Sequence, residues 1–358
     1  MTQSQPSTDL ARRPLRRLAR RPVLIGLALL LATGLAALSW AWLRTSGESR
    51  ELAERDRLRT EIAELFETGR FDEIEVLATR LRDSRARTAS GVWQLTVLYS
   101  AFGRLAATPL GDEAGWRRIA HGMESWLAAH PQSPTAIIAE AIVLRRSALR
   151  LKPSGYLLQA SLGASDPYKD ALRSTLDFLE ARKQTASHDP HYYVVWAELA
   201  AATGTDPDSF IAEVEEGFAR EPGYYQLYFA ALDYFTSSRD EALARDIETL
   251  ANTAVARTAA TDGLGVYARL YWYAANSHFG ASLFKRSAAD WPRLRQGIDD
   301  VLARYPDPWN VNSFAYLACL AGDREKTREL IDRLEGEPIV RAWKSQAAFE
   351  TCKAFAVG

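Results

Sequence analysis

Apolar residues along this chain recur at three- and four-residue spacing, and glycine or proline repeatedly interrupts them where a helix would end. Residues 308–334, PWNVNSFAYLACLAGDREKTRELIDRL, show the unit most clearly. Phe314, Leu317, Ala318 and Leu320 form one apolar face, Gly322-Asp323 ends it, and Leu330, Ile331 and Leu334 form a second. Glycine tolerates the positive φ that stops a helix, and so short a corner leaves the two helices antiparallel and packed. Gly69-Arg70-Phe71-Asp72 makes the same corner ahead of Ile74, Leu77, Ala78 and Leu81. The pattern predicts helices over 49–68, 90–107, 113–129, 134–151, 167–186, 190–203, 207–220 and 223–236. It continues over 239–259, 263–286, 291–304 and 338–356, besides the two arms of 308–334. Asp166-Pro167, Asp189-Pro190 and Asp206-Pro207 read as helix starts: the carboxylate accepts from the first free N–H groups, and proline fits the first turn. Valine and isoleucine are sparse and no sustained period-two stretch appears, so the fold class is all-α.

Three segments align on a closing proline, at Pro131, Pro222 and Pro306. Twelve residues before each stand Ile119, Phe210 and Leu294; eight before, Met123, Val214 and Ile298; four before, Leu127, Phe218 and Leu302; three before, Ala128, Ala219 and Ala303. A large residue on the stripe, a small one where a neighbour must approach, and a proline that forbids continuation are what a stacked helical hairpin needs. The closing prolines lie 91 and 84 residues apart, which implies irregular helices between hairpins.

A different pattern precedes all of this. Residues 23–43, VLIGLALLLATGLAALSWAWL, hold 21 residues without an ionisable group, enough to cross a hydrocarbon core of about 30 Å. Arg12, Arg13, Arg16, Arg17, Arg20 and Arg21 stand before it against one Asp9, and mixed charges follow. The positive-inside rule places the N-terminus in the cytoplasm and the chain beyond residue 44 on the far side, with Trp40 and Trp42 in the interfacial belt. The alternative is a cleaved signal peptide, whose apolar region would run about 7–15 residues and whose small-residue site would be Ser39-Trp40-Ala41. The division is then a basic cytoplasmic tail (1–22), a transmembrane helix (23–43), a charged stalk with the first hairpins (44–108) and a helical-repeat domain (109–358). Six arginines and one aspartate give residues 1–43 a charge of +5 against −1 for the whole chain, so the remainder carries −6. A mildly acidic domain has no electrostatic reason to bind nucleic acid.

Candidate chemistry is thin. His188-Asp189-Pro190-His191 is the one paired-histidine feature, but its Asp-Pro already reads as a helix start and no third ligand is evident, so no metal site is assigned. None of G-x-S-x-G, G-x-x-x-x-G-K, G-x-G-x-x-G or H-E-x-x-H occurs, and no catalytic residue or cofactor is assigned. Aromatic residues are the more informative excess: Tyr192, Tyr193 and Trp196; Tyr224, Tyr225, Tyr228 and Phe229; Tyr267, Tyr271, Trp272 and Tyr273. Most belong to the core, yet aromatics on consecutive positions cannot share one face, so some line a second surface suited to an extended peptide or a partner helix. Two cysteines, Cys319 and Cys352, stand 33 residues apart, in nearly equivalent places on neighbouring helices. A disulfide between them is permitted in an extracytoplasmic compartment; neighbouring helix axes 8–10 Å apart and the roughly 7 Å Cα limit of a bridge leave the pairing open.

The glycine–small–large–large–proline spacing resembles the tetratricopeptide repeat (TPR). Gly69 with Ile74, Ala78 and Leu81 follows it, as does Gly322 with Thr327, Ile331 and Leu334, although Ile74 and Thr327 stand where that family favours alanine. More specifically, HPQSPTA (130–136), EPGYYQLYFAALDYF (221–235) and RYPDPWNVNSFAYLACLAGD (304–323) resemble a bacterial family of uncharacterised, membrane-associated helical-repeat proteins. The resemblance implies an irregular α-solenoid of stacked hairpins behind a single anchor in the inner membrane, with a periplasmic domain. It also implies that Trp309, Asn312 and Tyr316, with Cys319, face an inner curve and contact a ligand; the alternative is that they pack on the following helix. The expected function is a protein-binding scaffold or adaptor of the cell envelope, its partners the membrane and a protein or peptide. The rivals are a hydrolase or metal-dependent enzyme on a helical solenoid and a purely structural oligomerisation module.

Overall fold

The computed structural model describes residues 49–109, 111–151, 166–237, 243–334 and 336–358. The basic tail and the apolar segment 23–43 lie outside these residues. Among the described residues no helix is long and apolar enough to cross a membrane. The described chain is all-α, and its β pairing amounts to one isolated bridge between Arg87 and Trp93.

The longer helices are α1 (Arg50–Glu67), α2 (Phe71–Ser84), α3 (Gln94–Leu105), α4 (Glu113–Ala129), α5 (Pro134–Ala148), α6 (Pro167–Glu180), α7 (His191–Thr203) and α8 (Pro207–Arg220). They continue as α9 (Tyr225–Ser237), α10 (Leu243–Asp262), α11 (Gly265–Ala274), α12 (Trp291–Arg304), α13 (Pro308–Ala321), α14 (Arg324–Asp332) and α15 (Gln346–Val357). Local chemistry sets most of their ends. Asp166 accepts from Tyr168 N at 3.1 Å and Asp206 from Ser209 N at 3.0 Å, each ahead of a proline in the first turn. Gly69 and Gly322 take positive φ at their corners. The helices before Pro131, Pro222 and Pro306 stop at Ala129, Arg220 and Arg304, because the residue before a proline is pushed out of the α region.

Three predicted helices are broken in the structure, the 167–186 stretch into α6 and a short helix (Lys183–Ala186) after a turn at 181–182. The 263–286 stretch is α11, then a π turn (Ala275–Phe279), then a short helix (Leu283–Arg286), with Gly280 at φ +54° between them. Asn276 Nδ2 donates to Trp272 O at 2.8 Å at the change of pitch, a carbonyl that also accepts from Ala275 N. The 338–356 stretch is α-helical only from Gln346, after one 3-10 turn (Val340–Ala342), because Asn312 Oδ1 on α13 accepts from Ile339 N (3.1 Å) and Trp343 Nε1 (2.7 Å) and pins the preceding chain.

Odd-numbered helices form an inner layer and even-numbered helices an outer one. Successive inner helices pack on one another from α1 to α15, and α13 also packs against α1. Sequence explains the layer of the central helices. α5, α7, α11 and α13 bury residues on every side, from Thr135 to Val143 in α5 and from His191 to Ala200 in α7, because they are apolar all round. The outer α4, α8 and α12 bury one stripe each: Ile119, Met123 and Trp126; Phe210, Val214 and Phe218; Leu294, Ile298 and Leu302. Residues 49–108 belong to the same compact unit as the rest of the described chain. Ser49 Oγ donates to Asp307 Oδ1 at 2.7 Å and Glu51 N to Asp307 Oδ2 at 3.2 Å, joining the start of α1 to the start of α13.

Candidate functional site

The non-helical connection 85–93, between α2 and α3, is where the inner layer comes together. Thr88 N donates to Val92 O (2.7 Å) and Gly91 N to Thr88 O (2.9 Å), folding the chain back on itself. From α1, Glu51 Oε2 accepts from Ser90 N and Glu54 Oε2 from Ala89 N, both at 2.8 Å. Ser90 O accepts in turn from Arg269 Nη2 on α11 (2.6 Å) and from Asn310 Nδ2 on α13 (3.1 Å), while Trp93 Nε1 donates to Gly223 O (2.9 Å) before α9. Gly91 sits at φ +88°, and a Cβ there would stand 2.6 Å from Arg269 Nη2, so only glycine admits the guanidinium.

Against this turn lies a cleft floored by Ser90, Arg269, Asn310 and Ser313 and walled by the rings of Trp93, Tyr225, Phe229, Trp272, Trp309 and Phe314, with Arg55 and Gln226 at its rim. It measures about 40 Å³. Four inner helices besides α1 contribute to it: α3, α9, α11 and α13. Large side chains on helices that are apolar all round fill the remaining interior, which is why the inner surface narrows to a cleft instead of forming a broad groove.

The electrostatics are one-sided. Burial lowers the pKa of the Arg269 guanidinium, and nearby Arg87 pushes the same way; Tyr225, Tyr305 and Asp262 oppose them, and a guanidinium stays charged in any protein setting. Arg269 forms no ion pair with any described residue. Its partners are Ser90 O and the rings of Tyr225 and Tyr305, at 5.5 and 5.6 Å from its Cζ. Asp262 is engaged with Arg304, and Arg55 with Glu51. Three residues that line the cleft, Ser90, Trp272 and Ser313, each carry a polar side-chain atom (Oγ, Nε1 and Oγ) that is shielded from solvent and has no hydrogen-bond partner among the described residues. Buried donors are nearly always satisfied in folded proteins, so three together mark a place where something else completes them.

The residues expected to line a groove are split by the structure. Trp309 is at the rim of the cleft, with Arg341 Cζ 5.6 Å from its ring centroid. Asn312 is interior: besides accepting from Ile339 N and Trp343 Nε1, it donates to Pro308 O (2.8 Å), so its carboxamide is occupied in holding the C-terminal segment. Tyr316 packs edge-on to Trp343, with ring centroids 6.0 Å apart. These two positions pack on the chain that follows and do not join Trp309 at the cleft. Cys319 on α13 and Cys352 on α15 are bridged, their Cα atoms 5.7 Å apart. Sequence reasoning missed Ser90, Arg269, Asn310 and Ser313, and named Trp272 only among the aromatic excess. One signal was available: Arg269 is the single charge in the helix GVYARLYWYA, which is otherwise apolar or aromatic.

Asp189 has a role its local sequence does not disclose. Its carboxylate is fully buried and accepts from Arg82 Nε (2.9 Å), Tyr99 OH (2.7 Å) and His191 N (2.9 Å), and Arg82 Nη2 also reaches Thr135 Oγ1 (2.9 Å). His191 stacks on Tyr99 with ring centroids 4.3 Å apart, and its Nδ1 lies 2.8 Å from Tyr224 OH. Thr96 donates to Tyr224 OH at 3.0 Å, so Tyr224 donates onward to a neutral His191, whose pKa burial pulls down to about 3. Among the described residues no group of three or more His, Cys, Asp or Glu side chains is placed to hold a metal ion. The Arg82–Asp189–His191 network is cement between α2, α3, α5 and α7, whereas the Arg269 cleft is the place with unsatisfied chemistry.

No protein-family model matches the chain, and no characterised protein or solved structure is significantly similar to it.

Proposed function

We propose that this chain is a TPR-like protein-binding scaffold or adaptor, held to a bacterial inner membrane by residues 23–43, with its helical domain in the periplasm. One observation carries the binding role: five inner helices converge on a cleft whose walls are aromatic and whose floor holds a buried, unpaired arginine beside three unsatisfied donors. Rigid aromatic side chains and arginine are the groups that dominate binding energy at protein interfaces. Positive-φ glycine corners at Gly69 and Gly322 agree with the tetratricopeptide spacing. The Cys319–Cys352 bridge suits an oxidising compartment, which agrees with the orientation implied by the N-terminal arginines. Binding here is non-covalent. The lining includes serine hydroxyls but no carboxylate, histidine or cysteine that would activate them as nucleophiles.

The test has two arms. A reporter fused after Gly358 is expected to be active only in the periplasm, and cytoplasmic activity refutes the topology. Full-length protein in nanodiscs is expected to retain peptides from an array of extended apolar and aromatic sequences, with Trp309→Ala weakening them at least tenfold. An array without retained peptides, or peptides indifferent to that substitution, refutes the binding role.

A further inference from the structure

The geometry points to a carboxylate-binding subsite at the floor of the Arg269 cleft, a refinement that rests on the cleft being a binding site and specifies the chemistry it recognises. Every unsatisfied group there is able to donate. Arg269 spends one N–H on Ser90 O and retains four, while Ser90 Oγ, Ser313 Oγ and Trp272 Nε1 have no partner among the described residues. Ser90 and Ser313 are 1% and 2% exposed, so bulk water does not compensate them. An oxyanion accepts from several donors at once, and charge-assisted hydrogen bonds of this kind are about twice as strong as neutral ones.

Charge and size choose among oxyanions. Arg269 is the lining cation without a carboxylate partner, since Arg55 is neutralised by Glu51, so one negative charge balances the floor and two would overcompensate it. Arg87 adds to the field but is half-buried and reaches water. The cleft's 40 Å³ holds roughly three water-sized groups, which matches the three heavy atoms of a carboxylate. The rings of Trp93, Trp272 and Trp309 in the same lining offer apolar contact to whatever the carboxylate is attached to. The same chemistry is available from a peptide C-terminus and from a free organic acid.

The three tryptophans report binding by fluorescence in the full-length protein. Titration with benzoate is expected to give a saturable change that benzamide, its uncharged counterpart, reproduces at least tenfold more weakly. Arg269→Gln is expected to abolish the benzoate response. Ser313→Ala removes a hydroxyl with no partner among the described residues, so the fold is expected to survive, and benzoate is expected to bind three- to tenfold more weakly. A peptide with a free C-terminus that competes with benzoate, where its amidated form does not, identifies the peptide source; benzoate binding without competition from either identifies a free acid. In the second case the carboxylate site stands while the peptide-binding proposal fails. Equal binding of benzamide and benzoate, a benzoate response unchanged in both Arg269→Gln and Ser313→Ala, tighter binding of phenyl phosphate than benzoate, or no response to benzoate at about 10 mM overturns the assignment.

Discussion

Replacing Arg82 with methionine isolates the energetics of the interior. Arg82 extends from α2 to the Asp189 carboxylate ahead of α7 and to the Thr135 hydroxyl on α5, with 18% of its side chain exposed against none of that of Asp189. Methionine keeps the apolar stem but removes the cation, leaving Asp189 with only the Tyr99 hydroxyl and the His191 N–H. A buried charge stripped of its partner costs about 3–5 kcal/mol, mostly desolvation no longer offset. Asp189→Asn in the Arg82→Met background removes that charge while its amide oxygen still accepts, so the double variant is expected to recover about 2 kcal/mol of the loss. Urea unfolding followed by far-UV circular dichroism reads both, with the slope compared across variants to check that the cooperative unit is unchanged. Arg82→Met within about 1 kcal/mol of the parent, or a double variant less stable than the single, would refute the view that this pair joins four helices by a desolvated charge interaction.

Acid is expected to unfold the domain partly through His191. Its folded-state pKa of about 3 lies below the ordinary 6.5, so the neutral ring contributes stability that is complete above pH 6.5 and is lost as pH falls towards 3. The amount is about 4–5 kcal/mol, and His191→Asn is expected to flatten this part of the stability–pH curve; an unaltered curve rejects it. Glu140 works in the opposite sense. Burial raises its pKa to about 7, so its contribution is complete below pH 4.5 and is lost as pH rises through 7. Glu140→Gln is therefore expected to stabilise the protein at pH 8 by at most about 3 kcal/mol, as a rise in urea midpoint, and a fall in midpoint contradicts the burial argument. Breaking the Cys319–Cys352 bridge as Cys319→Ser/Cys352→Ser frees a loop of 33 residues and is expected to cost about 3–4 kcal/mol. Equal stability of the parent with and without reductant would show that the bridge does not constrain the chain.

Helix ends were written locally, and the chain obeys them. Asp166 and Asp206 cap their helices, Gly69 and Gly322 turn the corners, and the closing prolines stop α4, α8 and α12 as their spacing requires, because each event is decided within one turn of helix. Two of the breaks that the pattern missed, after Ala274 and before Gln346, involve side-chain hydrogen bonds to backbone, and the second of these comes from Asn312 on another helix. The interior position of α5, α7, α11 and α13 was also legible, since a helix apolar on every face has nowhere to go but the interior. What the sequence could not disclose is company. Asp166, Asp189 and Asp206 share one dipeptide signature, yet only Asp189 ends in a buried ion pair, because only there does the stacking bring Arg82 across 107 positions of chain. The candidate site is the extreme case: Arg269 and Asn310 meet Ser90 across 179 and 220 positions, and no local pattern encodes an encounter that exists only once the inner helices have packed on one another and α13 has come to rest against α1.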